Sequence, residues 1–177
     1  MLSLSAFQEL QELVERADAL WPVVPAQLPA FDRWLADARV LLEGQSADAA
    51  RGLEARPGLR EHEASLAAIR MRALPAGAGA ASGADAYQFA DTRDRWWHAQ
   101  LVRLLAELRR FGDPEAGLAG AGIDPEHGWS VGKRRAFAAT IAERSIDGAD
   151  ARQRWAAATT RSEEHTSELQ SHSDLVC

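Results

Sequence analysis

The sequence predicts an all-α protein: helical hairpins or a loose helical bundle with long amphipathic, coiled-coil-like helices and a disordered C-terminal tail. Three observations carry that expectation. The chain leans on Ala, Leu, Arg and Glu while β-branched residues are sparse, a composition that favours helix. Apolar residues recur at three- and four-residue spacing in stretch after stretch, which places them on one helical face. Proline and glycine fall between those stretches, where a helix must stop. No alternating pattern is long enough for a useful strand, and no internal repeat occurs.

The first helix is expected over Ala6 to Leu20. Ser5 caps it, with Gln8 completing a capping-box pattern, and Phe7, Leu10, Leu13, Val14 and Ala17 form its stripe. Trp21-Pro22 ends it, because a residue before proline is pushed out of the helical region. The second starts at Pro29, presents Phe31, Trp34, Leu35, Ala38, Leu41 and Leu42, and closes at Gly44. Residues 46–55 suggest a short, weak helix, broken by Arg56-Pro57-Gly58.

A third helix, Leu59 to Leu74, sets Leu59, His62, Leu66, Ile69 and Ala73 against an opposite face of Arg60, Glu61, Glu63, Arg70 and Arg72. The stretch AGAGAASGA, residues 76–84, has linker composition. It divides the chain into N-terminal amphipathic helices (1–75) and a Trp-rich helical segment (85–160). There the fourth helix is expected over Ala86 to Phe111, capped by Asp85, with a stripe of Trp97, Leu101, Leu104, Leu105, Leu108 and Phe111. A Gly/Pro-punctuated loop follows. The fifth helix, Val131 to Ile146, is capped by Ser130 and aligns Val131, Phe137, Ala138, Ile141 and Ser145. The sixth begins near Ala149 and carries Trp155.

The final seventeen residues, RSEEHTSELQSHSDLVC, have a different character. Back-translated, they resemble a sequencing-library adapter, and the closing Asp-Leu-Val-Cys continues the same adapter in frame. Residues 161–177 are therefore expected to be a non-native tail that packs on nothing, with the natural polypeptide cut near Thr160.

Setting the tail aside changes the composition. The whole chain carries 20 Lys+Arg against 26 Asp+Glu, a formal charge of -6. The tail contributes Arg161 against Glu163, Glu164, Glu168 and Asp174, half of that charge. The remainder has no excess of positive charge to hold a phosphate backbone, so no nucleic-acid partner is expected. Cys177, the sole cysteine, belongs to the tail; residues 1–160 can form no disulfide and no thiolate site, which fits a reducing, cytoplasmic compartment. No stretch is apolar for the length of a membrane span, and the N-terminus lacks a signal-peptide pattern.

Candidate sites are few. His98, Glu126 and His127 form the one histidine–carboxylate set that could coordinate zinc or iron. Asp94 lies one turn from His98, and a surface hydrogen bond between them is the simpler expectation. Gly117, Gly120 and Gly122 before a helix, with Lys133 beyond, distantly suggest a phosphate loop, but no strand precedes them and no G-x-x-x-x-G-K-[ST] run is present. Ser130 lacks a nearby base and is expected to cap. Lys133-Arg134-Arg135 is expected to be a solvated basic spot. No catalytic, cofactor or metal residue is assigned. The residues expected to pack between helices, or to form an aromatic face for a partner, are Trp34, Trp96, Trp97, Trp129, Trp155 and Phe137.

The runs RWWHAQLVRLLAELRRF and GLAGAGIDPEHGWSVGKRRAFAATIAERSI, then RWAAA, resemble a segment of certain large bacterial proteins. FDRWLADARVLLEG and REHEASLAAIRMRALP look similar to its N-terminal part. Those proteins join a serine/threonine protein kinase domain to a domain like the formylglycine-generating, sulfatase-modifying enzymes, and the resemblance, over about Phe31 to Thr160, is to the helical connector between them. It implies a non-catalytic role whose partners are the flanking catalytic domains of the same parent chain. The alternative is a self-standing helical module that binds a protein partner or forms a homo-oligomer.

Overall fold

The computed structural model describes residues 2–74 and 87–174. Within them lie six α-helices and one two-stranded antiparallel sheet of two residues per strand. The expected 76–84 linker, Asp85 and Ala86 fall outside the described residues.

Helix α1 spans Leu2–Asp18, so Ser5 lies in its first turn and not at its cap. Its face Ala6, Leu10, Leu13 and Ala17 is buried, as the spacing requires. A 3-10 turn, Pro25–Gln27, leads into α2, Leu28–Glu43, which buries Phe31, Trp34, Ala38 and Leu41. Gly44 ends α2 at φ +81, a left-handed region that glycine enters without penalty. A Cβ there would also stand 2.8 Å from the Gly58 nitrogen. The weak helix expected over 46–55 is not formed. Asp48 Oδ1 accepts from the Ala50 and Arg51 amides, confining helical structure to a 3-10 turn at Ala49–Arg51. Bridges Gln45↔Arg56 and Asp48↔Leu53 fold the segment back as a hairpin-like loop.

Helix α3, Leu59–Arg70, opens with the Glu61 carboxylate accepting from the Gly58 amide and buries His62, Leu66 and Ile69. It ends four residues before the expected Leu74, whose amide instead donates to the Gln88 carbonyl at 2.7 Å. Helix α4 is Thr92–Phe111 rather than Ala86–Phe111, because Asp91 supplies the cap by accepting from the Arg93 amide at 2.8 Å. Arg72, in the turn just past α3, joins Asp94 of α4 through two parallel bonds of 2.8 Å.

The next loop carries β1, Ile123–Asp124, paired with β2, Gly128–Trp129, in the register Ile123↔Trp129 and Asp124↔Gly128. Helix α5 is Val131–Ala142, capped by the Ser130 hydroxyl, which accepts from the Lys133 amide. One π-helical turn, Glu143–Asp147, follows, and α6 runs Ala149–Asp174. Residues 161–174, expected as a disordered tail, thus continue α6 as helix. No glycine or proline follows Gly148, and the Ala-, Glu- and Gln-containing text offers nothing to stop a helix already started.

Two apolar clusters share α4. The larger joins Ala6, Leu10, Leu13 and Ala17 of α1 with Phe31, Trp34, Ala38 and Leu41 of α2, Leu104, Leu108 and Phe111 of α4, and Leu118, Val131 and Ala138. The smaller joins Leu66 and Ile69 of α3 with Phe89, Leu101 and Leu105. Helices on both sides of residues 76–84 therefore contribute to one packed body. Beyond Ala151 the picture changes: every residue from Arg152 to Ser162 is exposed, so α6 leaves that body as a single helix.

Candidate functional site

Arg134 is the residue that the sequence misplaces most. Expected in a solvated basic spot, it is fully buried. Its Nη1 donates to the Ala17 carbonyl at the end of α1 at 2.6 Å, its Nε to the Trp129 carbonyl at 2.6 Å, and its Nη2 to the His127 carbonyl at 3.1 Å. Its guanidinium also lies 4.7 Å from the Trp21 ring centre. A helix C-terminus is a natural seat for a cation, since its last carbonyls lack helical partners. Burial pushes the Arg134 pKa down, opposed by the charges of Asp18 and Asp124. The buried face of α5 is accordingly Val131, Arg134, Ala138 and Ala142. Phe137 and Ser145, expected on the inner stripe, are exposed. A side chain able to donate in three directions, to the distant Ala17 carbonyl and to the nearby Trp129 and His127 carbonyls, displaced the apolar alternative.

The glycine-rich loop has its own explanation. A Cβ on Gly117 would crowd the Phe111 and Arg110 carbonyls, one on Gly120 the Asp113 and Pro114 carbonyls, and one on Gly122 the Glu115 carbonyl. These glycines let the chain approach itself, and the atoms facing them are mostly carbonyl oxygens, which repel a phosphate, while the one facing amide, that of Asp113, already donates to the Arg110 carbonyl. Asp113 and Asp124 organise the loop, each accepting two backbone amides; the two amides at Asp113 lower its pKa. Gly122 O accepts both the amide and the hydroxyl of Ser130, so Ser130 is buried and structurally engaged.

The histidines do not converge. His98 is buried beside the Tyr87 and Phe89 rings, each 5.2 Å away, and its Nε2 accepts from Arg70 Nε at 3.4 Å. The expected Asp94–His98 surface bond is replaced because Asp94 is engaged by the Arg72 guanidinium. Burial, then the Arg70 charge, lowers the His98 pKa. His127 instead has Asp18 at 3.9 Å and Glu126 at 4.0 Å, while Glu126 accepts from Arg110 at 2.5 Å. Among the described residues no group of three or more His, Cys, Asp or Glu is placed to hold a metal ion. A further buried histidine, His62, has an Nε2 with no hydrogen-bond partner, and its pKa is lowered by burial.

The aromatic set divides. Trp34 is core: its Nε1 donates to the Leu13 carbonyl at 2.8 Å and its ring tilts against Phe111. Trp96 and Trp97 meet edge-on at 4.7 Å; Trp97 packs against the smaller cluster and Trp96 is exposed. Trp129 and Phe137 meet edge-on at 5.3 Å, with Lys133 Nζ 5.2 Å from the Trp129 ring centre and Ile123 paired across the strands. Trp155 is 64% exposed, anchored only at its edge by Nε1 donating to the Ser145 carbonyl at 2.7 Å. Arg144, Ser145, Ala151, Arg154, Trp155 and Ala158 line a shallow cleft of about 340 Å³ there. Thus Trp34 is core, Trp97 and Trp129 are half-buried, and Trp96, Phe137 and Trp155 are exposed in three separate regions. Among these residues, only Trp155 lies on a helix that has left the packed body. Comparison with protein-family models, with curated proteins and with solved structures finds no match for this chain.

Proposed function

We propose that this chain is a non-catalytic helical connector from a bacterial protein that pairs a serine/threonine kinase domain with a formylglycine-generating-type domain. Its role is to space and orient those two catalytic domains, in a cytoplasmic setting. The observation supporting this is a cross-braced body from which one helix departs, exposed on all sides from Arg152 to Ser162. Arg134 links the end of α1 to the turn before α5, so the body resists shear between its early and late helices. A helix leaving such a body transmits direction as well as distance. Among the described residues no helix is long and apolar enough to cross a membrane. The test is to remove the adapter-like end from the source DNA reads and translate both extended flanks. An upstream frame without H-R-D and D-F-G, or a downstream frame without the sulfatase-modifying-type domain, refutes the proposal.

The second reading is a self-standing helical interaction or homodimerisation module, favoured by the exposure of Trp155 and of Phe137, which meets the half-buried Trp129 edge-on. Sedimentation of the chain over a concentration series tests its dimeric form; a monomer at every concentration removes it.

A further inference from the structure

Helix α6 leaves the body through an irregular joint. Helix α5 runs into the π-helical turn Glu143–Asp147, which the Gly148 amide closes on the Glu143 carbonyl at 2.8 Å. Gly148 is then extended, at ψ 149, and α6 starts at the next residue. Carbonyls just before such a break lack amides from a following turn. Two of them are taken by side chains of α6. Arg154 Nη2 donates to the Arg144 carbonyl at 3.0 Å, and Trp155 Nε1 donates to the Ser145 carbonyl at 2.7 Å. Arg154 Nε also donates to the Asp150 carbonyl at 3.2 Å, which fixes the direction of its side chain. Gly148 has no room for more: a Cβ there would stand 2.2 Å from the Glu143 carbonyl oxygen. All these residues precede Thr160, so the joint draws nothing from the adapter-like tail.

We propose that residues 143–155 form a clasped joint, in which Arg154 and Trp155 hold α6 in one direction and α6 swings about Gly148 when the clasp opens. The assignment rests on the connector reading and names the device that sets and releases direction. The two bonds tie α6 to the turn and to neither apolar cluster, so opening them leaves the body intact. Ala151 is the one buried residue between 151 and 160, and it belongs to neither cluster. Trp155 is 64% exposed, so water competes for its bond. Two hydrogen bonds that each shift an equilibrium about fivefold favour the clasped direction about twenty-five-fold, enough to hold it and little enough to release it.

Spin-label distances measured by pulsed electron resonance test this on the full chain carrying Cys177→Ser. One label sits at Glu12→Cys on α1 and the other at Ala157→Cys on α6, both exposed positions. Ala157 lies about 13 Å along the helix from Gly148, so a swing of about 30° moves its label by about 7 Å. The parent should give one narrow distance. Trp155→Phe keeps a ring but loses the donor, and should add a minor second population. Adding Arg154→Met should spread the distances by several ångströms. The helical circular dichroism signal and the urea midpoint should stay at the parent values.

A double variant as narrow as the parent overturns the joint, because Ala151 packing then sets the direction alone. A parent as broad as the double variant overturns it as well, since nothing is clasped. Broadening with loss of helical signal means that α6 melts instead of swinging, and a lowered midpoint means that the bonds belong to the body; either result refutes the proposal. All four leave the connector reading standing, which the flanking DNA decides. A flank without its catalytic domain removes that reading and leaves the label distances unchanged.

Discussion

Replacing Arg134 with methionine keeps the side chain long and roughly fills its volume, but removes all three donors. The carbonyls of Ala17, Trp129 and His127 lose their guanidinium partner. Ala17 O keeps a second donor in the Leu20 amide, so it is not fully orphaned. Three hydrogen bonds to a charged donor, each contributing about 1.5 kcal/mol net, sum to about 4–5 kcal/mol. Removing a buried charge returns part of that through recovered desolvation, leaving an expected loss of about 3 kcal/mol. With a urea dependence of about 2 kcal/mol/M for a domain of this size, the midpoint should fall by about 1.5 M. Arg134→Lys restores the charge but not the fork, since a single ammonium cannot align with three diverging carbonyls, and should recover roughly half the loss. Urea titrations followed by circular dichroism measure both. A methionine variant within about 0.5 kcal/mol of the parent, or a lysine variant as stable as the parent, would refute the view that fork geometry holds these segments together.

Three further outcomes are expected. Trp34→Phe removes the Nε1 bond to the Leu13 carbonyl and leaves a small void, and should destabilise by about 1–2 kcal/mol in the same titration; no change would show that the ring alone matters. Gly122→Ala sets a Cβ on the Glu115 carbonyl and forces the loop apart, so the midpoint should fall by more than for Gly52→Ala, whose site has open space but a φ of +66; the reverse order would contradict the crowding argument. The third concerns pH. His62 and His98 have lowered pKa values in the folded chain, mainly from burial. The unfolded chain therefore binds protons first, near the ordinary imidazole value of about 6.5. Their stability contribution is complete above that pH and is lost as pH falls from there toward the folded values. Urea midpoints measured between pH 8 and 5 should decline on the acid side, and His98→Phe should flatten the decline; a midpoint that rises on acidification sinks the argument.

Much of the architecture was legible before any coordinates. The stripes of α1 and α2 bury the faces that their spacing marked, and Gly44 and Ser130 end and begin helices as their chemistry suggests. Such features depend on neighbours within a turn or two, so local text suffices. Boundaries failed where a side chain competed with the helix for backbone groups. Asp48 closed a turn inside a stretch expected to be helical, and Asp91 started α4 later than expected. The signal for Asp91 is present in the sequence, since Asp before Thr-Arg is good capping text, but Asp85 offers the same chemistry six residues earlier.

The candidate surfaces were less legible. Six aromatic residues gave no indication of which would face solvent, because a ring at helical spacing looks the same whether or not another helix covers it. By itself the sequence determined an all-α chain, where most helices run, which faces of α1 and α2 are buried, and the absence of cysteine chemistry from residues 1–160. Only tertiary structure decided that the helices flanking residues 76–84 share one body and that Trp155 stands on a helix beyond it. It also decided that Arg134 lies inside. The physical reason is range: helix formation depends on residues three or four apart, whereas the Arg134 site depends on a carbonyl 117 residues away.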